Sequence, residues 1–210
     1  MKGLILNSFY SVKEGIKLSL FITIIAVAVL IITKKSLALN IAILLPIPVL
    51  SSIAFDALRQ ESISGWNHYE RILPVERHQI IQSKYLTFLL SLLFSILVTL
   101  AIVFLINFLP SVEGVNLKYM LWGMGIMFCT ASTTYPLTYI LGNDKTELTR
   151  MISLIFTIGL FGSIYLLVST FMGEKENADQ LFAVSFLFVS VLFFIISYFI
   201  SIIVYKRKDF

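Results

Sequence analysis

Apolar runs of roughly the length needed to cross a bilayer recur six times along this chain, at 18–33, 37–55, 85–109, 119–141, 151–171 and 181–204. No other feature narrows the fold so much. At 1.5 Å per residue, about 20 helical residues cross the roughly 30 Å hydrocarbon core. In that core every backbone N–H and C=O needs a partner from the protein, and a helix supplies them all. Charged residues make up only 13% of the 210, hydrophobic residues 58%, and the mean hydropathy is +0.93. A soluble domain carries about 25% charged residues, so a water-soluble fold of this composition would expose much apolar surface. The reading is an all-α membrane protein of six transmembrane helices in one domain (18–210), with no internal repeat and no low-complexity segment. Seventeen residues precede the first run and no small-residue cleavage site follows it, which argues against a signal peptide. Cys129 is the single cysteine, which excludes an internal disulfide and a CxxC metal site.

Six spans put both termini on one side. One set of connecting segments carries Lys2, Lys13, Lys17, Arg59, Arg71, Arg77, Lys84, Lys145, Arg150, Lys206, Arg207 and Lys208; the other carries Lys34, Lys35, Lys118 and Lys175. Twelve against four under the positive-inside rule places the first set, both termini included, in the cytoplasm. The segment MGEKENADQ at 172–180 is then external.

Two cytoplasmic stretches show helical patterning. In residues 1–17, Ile5, Phe9, Val12 and Ile16 form one stripe at i, i+4, i+7 and i+11, away from Ser11, Glu14 and Lys17. That pattern suits a helix lying in the membrane interface with its lysines near anionic headgroups; it equally suits a plain membrane-entry helix. The 56–84 loop and the start of the third span carry GWNHYERILPVERHQIIQSKYL, from Gly65 to Leu86. Trp66, Tyr69 and Leu73 share one face at i, i+3 and i+7, with Asn67, His68 and Arg71 opposite. Pro74 ends this short helix and suits the first turn of the next, where Glu76 follows. Lys84 and Tyr85 stand where interfacial anchors belong. A helix, a sharp corner and a second helix form a segment able to transmit movement, or one that merely packs on the membrane.

Three further stretches carry distinctive residues. The fourth span holds CTASTTYPLTY, in which Thr130, Ser132, Thr133, Thr134, Tyr135 and Pro136 allow close helix packing and interhelical hydrogen bonds; they line a pathway or an interface, or simply pack. Pro46 and Pro48 in LLPIPVL predict a kink or local unwinding in the second span. In GNDKTELTR, Asp144 and Glu147 have capping-box spacing for the fifth span's helix; with Lys145 they form either a plain cap or a second contact for a partner. His68 and His78 lack a second histidine at i+3 or i+4, so a metal site is not expected.

The pattern Glu61, Ser64-Gly65-Trp66, Tyr69, Leu73-Pro74-Val75, Arg77, Ile80/Ile81 and Ser83-Lys84-Tyr85-Leu86, with the opening MKGLILNSFYSVKEGIKL, resembles the membrane permeases of the ABC-2 type. Within that family the chain is similar to permease subunits of bacterial exporters of amphipathic peptides, including phenol-soluble modulins. The resemblance covers the whole chain. It implies an N-terminal elbow helix and a cytoplasmic coupling helix between spans two and three, in a bacterial plasma-membrane half-transporter. A second copy, or a related permease, would complete the pathway. A separate ABC ATPase would carry ATP and magnesium, with no cofactor on this chain. It implies that Trp66, Tyr69, Glu70, Arg71, Leu73, Pro74 and Arg77 couple to that ATPase, with a possible second contact at Asp144, Lys145 and Glu147. Besides these protein partners it expects membrane lipid and no nucleic acid.

The sequence lacks GxxxxGK[ST], the loop that cradles nucleotide phosphates. No Asp, Glu, Lys, Arg or His falls in the middle of an assigned span, whereas proton- and ion-driven transporters usually need such groups there. An intramembrane enzyme would need Ser/His, paired carboxylates or metal ligands at membrane depth, and no such set assembles. A non-transporting immunity or sensor-type subunit docking the same ATPase is the competing reading.

Overall fold

The computed structural model describes residues 2–33, 35–70, 76–108, 116–142, 145–172 and 178–207, and these form ten helices without a strand. Helix α1 (Lys2–Ser11) and α2 (Lys13–Ile32) are separated by a break at Val12, where φ is −113° and ψ 15°. Leu4 and Ser8 of α1, with Val12 at the break, turn inward at one-turn spacing. Ile5 and Phe9 only flank them, half-buried. The expected stripe is therefore rotated by about one position, because the Ser8 hydroxyl has a polar partner in the interior. Val12 packs with Leu50, Ile53 and Ala57.

The second span is carried by α3 (Ser36–Leu44), α4 (Pro46–Ser51) and α5 (Ile53–Ile63). Pro46 and Pro48 interrupt the ladder of N–H bonds, since proline has no N–H. Yet the junctions stay helical: Leu45 has φ −62° and ψ −40°, Ser52 φ −62° and ψ −18°, and the Val49 N–H still reaches the Leu45 oxygen at 3.3 Å. The interruption is one of hydrogen bonding, without unwinding at either junction. Ile47 and Leu50 are fully buried on this stretch. α5 ends at Ile63, and Gly65, with φ of +69°, turns the chain into α6 (Trp66–Glu70). An L side chain adopts that backbone at a cost of about 1–2 kcal/mol.

The remaining helices are long: α7 (Arg77–Asn107), α8 (Lys118–Leu141), α9 (Thr146–Met172) and α10 (Ala178–Arg207). Five stretches among the described residues are long and apolar enough to cross a membrane: Lys13–Ile32, Ser36–Ile63, Arg77–Asn107, Thr146–Phe171 and Ala178–Arg207. α8, expected as the fourth span, falls short in apolarity and not in length; its 24 residues extend about 36 Å. Its glycines and most of its Thr, Ser and Tyr side chains are buried, and the helix packs against α10, α9, α3 and α4. A helix wrapped by protein has no need of a lipid-facing surface.

Polar contacts sort the helix ends into two groups. Ser8 meets Glu61, Arg150 meets Asp56, and the Arg77 guanidinium donates to the Lys206 carbonyl at 3.4 Å. These gather α1, the 56–84 segment, the start of α9 and the end of α10. At the opposite end Lys118 pairs with Asp179 at 2.6 Å. Between them lies an aromatic core in which Tyr85, Tyr135, Phe88, Phe128 and Phe194 interlock. The Tyr85 and Tyr135 rings stack at 4.5 Å, and Phe194 lies 5.2 Å from Tyr85 and 5.3 Å from Phe88. The Tyr85 hydroxyl sits between Ser197 Oγ (2.7 Å) and Ser201 Oγ (2.8 Å) of α10, which satisfies it away from water.

Candidate functional site

The site grows from two charges placed on apolar stripes. On α5, Glu61 follows Ala54, Ala57 and Leu58 by seven, four and three residues, all of them buried. On α7, Lys84 follows Ile80 and Ile81, also buried. Helical spacing therefore turns both charged groups inward, and the two helices pack together. Lys84 Nζ bridges Glu61 Oε2 and Glu70 Oε1, the latter at 3.0 Å. Glu61 Oε1 accepts a further hydrogen bond from Ser8 Oγ at 2.7 Å. Lys84 is 5% exposed, Glu61 1%, Glu70 3% and Ser8 1%. The Tyr135 hydroxyl of α8 donates to the Lys84 carbonyl at 3.2 Å. One lysine thus ties together α1, α5, α6, α7 and α8.

This corrects the placement of Lys84 as an interfacial anchor with its ammonium in water. The opposite-signed partners exist only once α5, α6 and α7 have packed. A buried ion must be paired and hydrogen-bonded to be tolerated; Lys84 has two carboxylate partners, and Ser8 gives Glu61 a further hydrogen bond. The same demand turns Glu70 inward and rotates α6. Trp66, one turn earlier, is half-buried, while Tyr69 is exposed. The expected common face of Trp66 and Tyr69 is thereby split, and Tyr69 is the aromatic presented outward.

Of the other coupling candidates, Arg77 is exposed at the start of α7 and holds the end of α10; Arg71, Leu73 and Pro74 lie outside the described residues. Asp144 does too, so the capping box is not visible. Lys145 is exposed, and its carbonyl accepts from Thr149 Oγ1 at 2.9 Å. Glu147 pairs with Arg59 at 2.7 Å. Beside that pair, Arg150 Nη1 donates to Asp56 Oδ1 at 3.0 Å. The two ion pairs join α5 to α9 at the same end of the bundle.

The hydroxyl-rich stretch of α8 is interior. Ser132, Thr134 and Thr138 donate to carbonyls of their own helix three or four residues earlier, at 2.7 Å each, and Thr133 does so at 3.1 Å. Pro136 is buried within the unbroken helix. Thr130 makes the interhelical bond, 3.2 Å to Thr157 of α9, and Tyr135 reaches α7 as described. Most of these groups are satisfied locally, and Thr134 and Thr138 border a cavity.

Sequence reasoning missed the Ser8–Glu61–Lys84–Glu70 cluster, although a signal was present. Two charges of opposite sign interrupt the apolar stripes of consecutive helices, and that is the mark of an internal ion pair.

The sequence profile of the family described as ABC-2 family transporter protein matches residues 3–206. No curated protein and no solved structure matches the chain.

Proposed function

We propose, since the chain belongs to the ABC-2 family of transporter proteins, that it is a six-span permease subunit exporting hydrophobic or amphipathic cargo, amphipathic peptides foremost, with energy from a separate ABC ATPase that binds ATP and magnesium. α8 supplies the span that apolarity alone does not mark. α1 serves as the elbow helix and α6 as the coupling helix, with both termini in the cytoplasm of a bacterial cell. A second copy or a related permease completes the pathway.

The observation that carries this reading is the buried Lys84 cluster. It fixes α6 to α7 through Glu70, to α5 through Glu61, and to α1 through Ser8. A push on the exposed Tyr69 face meets a buried, paired contact, which resists local deformation. It must move the two spans that flank α6. A flexible polar linker would dissipate the same push.

The test is export into vesicles by the permease reconstituted with an ABC ATPase that co-purifies with it. Tyr69→Ala and Trp66→Ala are expected to lose ATP-driven export or ATPase co-purification while membrane insertion persists. Full export by both variants would sink the coupling assignment. Stable ATPase binding by the native chain, with no cargo moved, would favour a non-transporting role.

A further inference from the structure

Where α5, α8 and α9 diverge, at the end of the bundle that holds the two ion pairs, they line a half-open cavity of about 280 Å³. That exceeds the roughly 150 Å³ that admits a benzene ring and approaches the roughly 300 Å³ at which small-molecule sites begin. Its wall is apolar at Phe55, Leu58, Met151 and Leu154, and polar at Thr134 and Thr138. Its charged lining is uneven: Arg59 and Arg150 face Glu147, while Asp56, the partner of Arg150, is not among the lining residues. A carboxylate engages at most two of a guanidinium's five N–H donors, so both arginines keep donors for a ligand. The first turn of α9 borders the cavity through Thr146 and Glu147, which adds the positive end of the helix dipole. Both ion pairs are about half exposed. Such pairs are weak and exchange partners readily.

We propose that this cavity binds a single-chain anionic amphiphile, its head held by Arg59 and Arg150 and the first part of its chain laid against Phe55, Leu58, Met151 and Leu154. Two guanidinium groups beside an apolar wall, at the edge of a bilayer, match an anion attached to an alkyl chain and match neither half alone. The proposal goes beyond the transport reading by naming a ligand class, and rests on it only in taking this end of the bundle as cytoplasmic.

The probe is radiolabelled dodecyl phosphate, bound to the full-length chain in phosphatidylcholine nanodiscs and measured over empty nanodiscs. Saturable binding is expected that dodecanol and inorganic phosphate do not displace at equal concentration. Arg59→Gln with Arg150→Gln should weaken it about tenfold or more. Asp56→Asn with Glu147→Gln breaks the same two ion pairs but should strengthen binding, because it removes the competing anions. Equal losses in both double variants would mean that the pairs matter only as a latch, and would overturn the site. Displacement by inorganic phosphate would show anion binding without the chain, and displacement by dodecanol a greasy pocket without the arginines; either would overturn it too. Leu154→Trp, which narrows the apolar part of the cavity and leaves the charges, should weaken binding, and unchanged binding there would also refute it. These measurements need no ATPase, so failed export with intact binding would count against the transport reading and leave this one standing.

Discussion

Removing the Lys84 ammonium would leave two buried carboxylates facing one another without a counter-charge. Lys84→Met is expected to destabilise the fold by about 3–5 kcal/mol, the usual effect of orphaning a buried charge. Thermal unfolding of the purified chain in nanodiscs would show it. The triple variant with Glu61→Gln and Glu70→Gln should regain most of that loss, since the uncompensated charges go with it. A single Lys84→Met variant as stable as the native chain would contradict the burial seen here. Gly125 gives a second residue-scale test, of packing and not charge. A Cβ there would stand 2.5 Å from Phe186 Cδ1, closer than any real contact. Gly125→Ala is expected to cost about 1–3 kcal/mol by overpacking, and less when Phe186→Leu is made with it. Equal cost in both backgrounds would place the strain elsewhere.

At the scale of elements, the corner between α5 and α6 turns on a single backbone angle. Gly65 has φ +69° and open space around a would-be Cβ. Gly65→Ala is therefore expected to lose about 1–2 kcal/mol through the backbone alone, again read from thermal unfolding. Because α6 is only five residues long, the same change should disturb the Trp66 environment, visible as a shifted tryptophan emission. The α5–α9 contact differs in kind. Its two ion pairs are half exposed, so Asp56→Asn alone should change stability by less than about 1 kcal/mol. A large loss would mean that the pairs hold the helices together structurally.

For the whole molecule, the grouping of helix ends makes a topological prediction. In a Cys129→Ser background, Asp179→Cys should react with a membrane-impermeant thiol reagent in intact cells. Lys206→Cys, at the other end of α10, should react only after permeabilisation. Labelling of both from outside would refute a spanning α10 and the orientation together. The same architecture explains how unevenly the helices face their surroundings. Only 11% of the apolar windows of α2 and α9 is buried, against 50% for Ser36–Ile63, so α2 and α9 are peripheral and the second span is central.

Much of this architecture was legible along the chain, because a bilayer imposes a length and an apolarity that any spanning helix must display. Five of the six runs and the helical character of the N-terminus are local properties, whereas the N-terminal stripe needed correction by one position and the corner expected at Pro74 lies outside the described residues. What local pattern could not decide is which groups meet. Ser8 finds Glu61 across 53 residues, and Arg150 finds Asp56 across 94. Lys84 read as an anchor because a lysine at the end of a span ordinarily reaches for water. It is buried because packing brings two carboxylates to it, and a paired charge inside a helix bundle is tolerated where a lone one is not. The cavity above Arg59 and Arg150 has the same origin. It is a gap between three helices, and its lining exists only once their crossing is fixed.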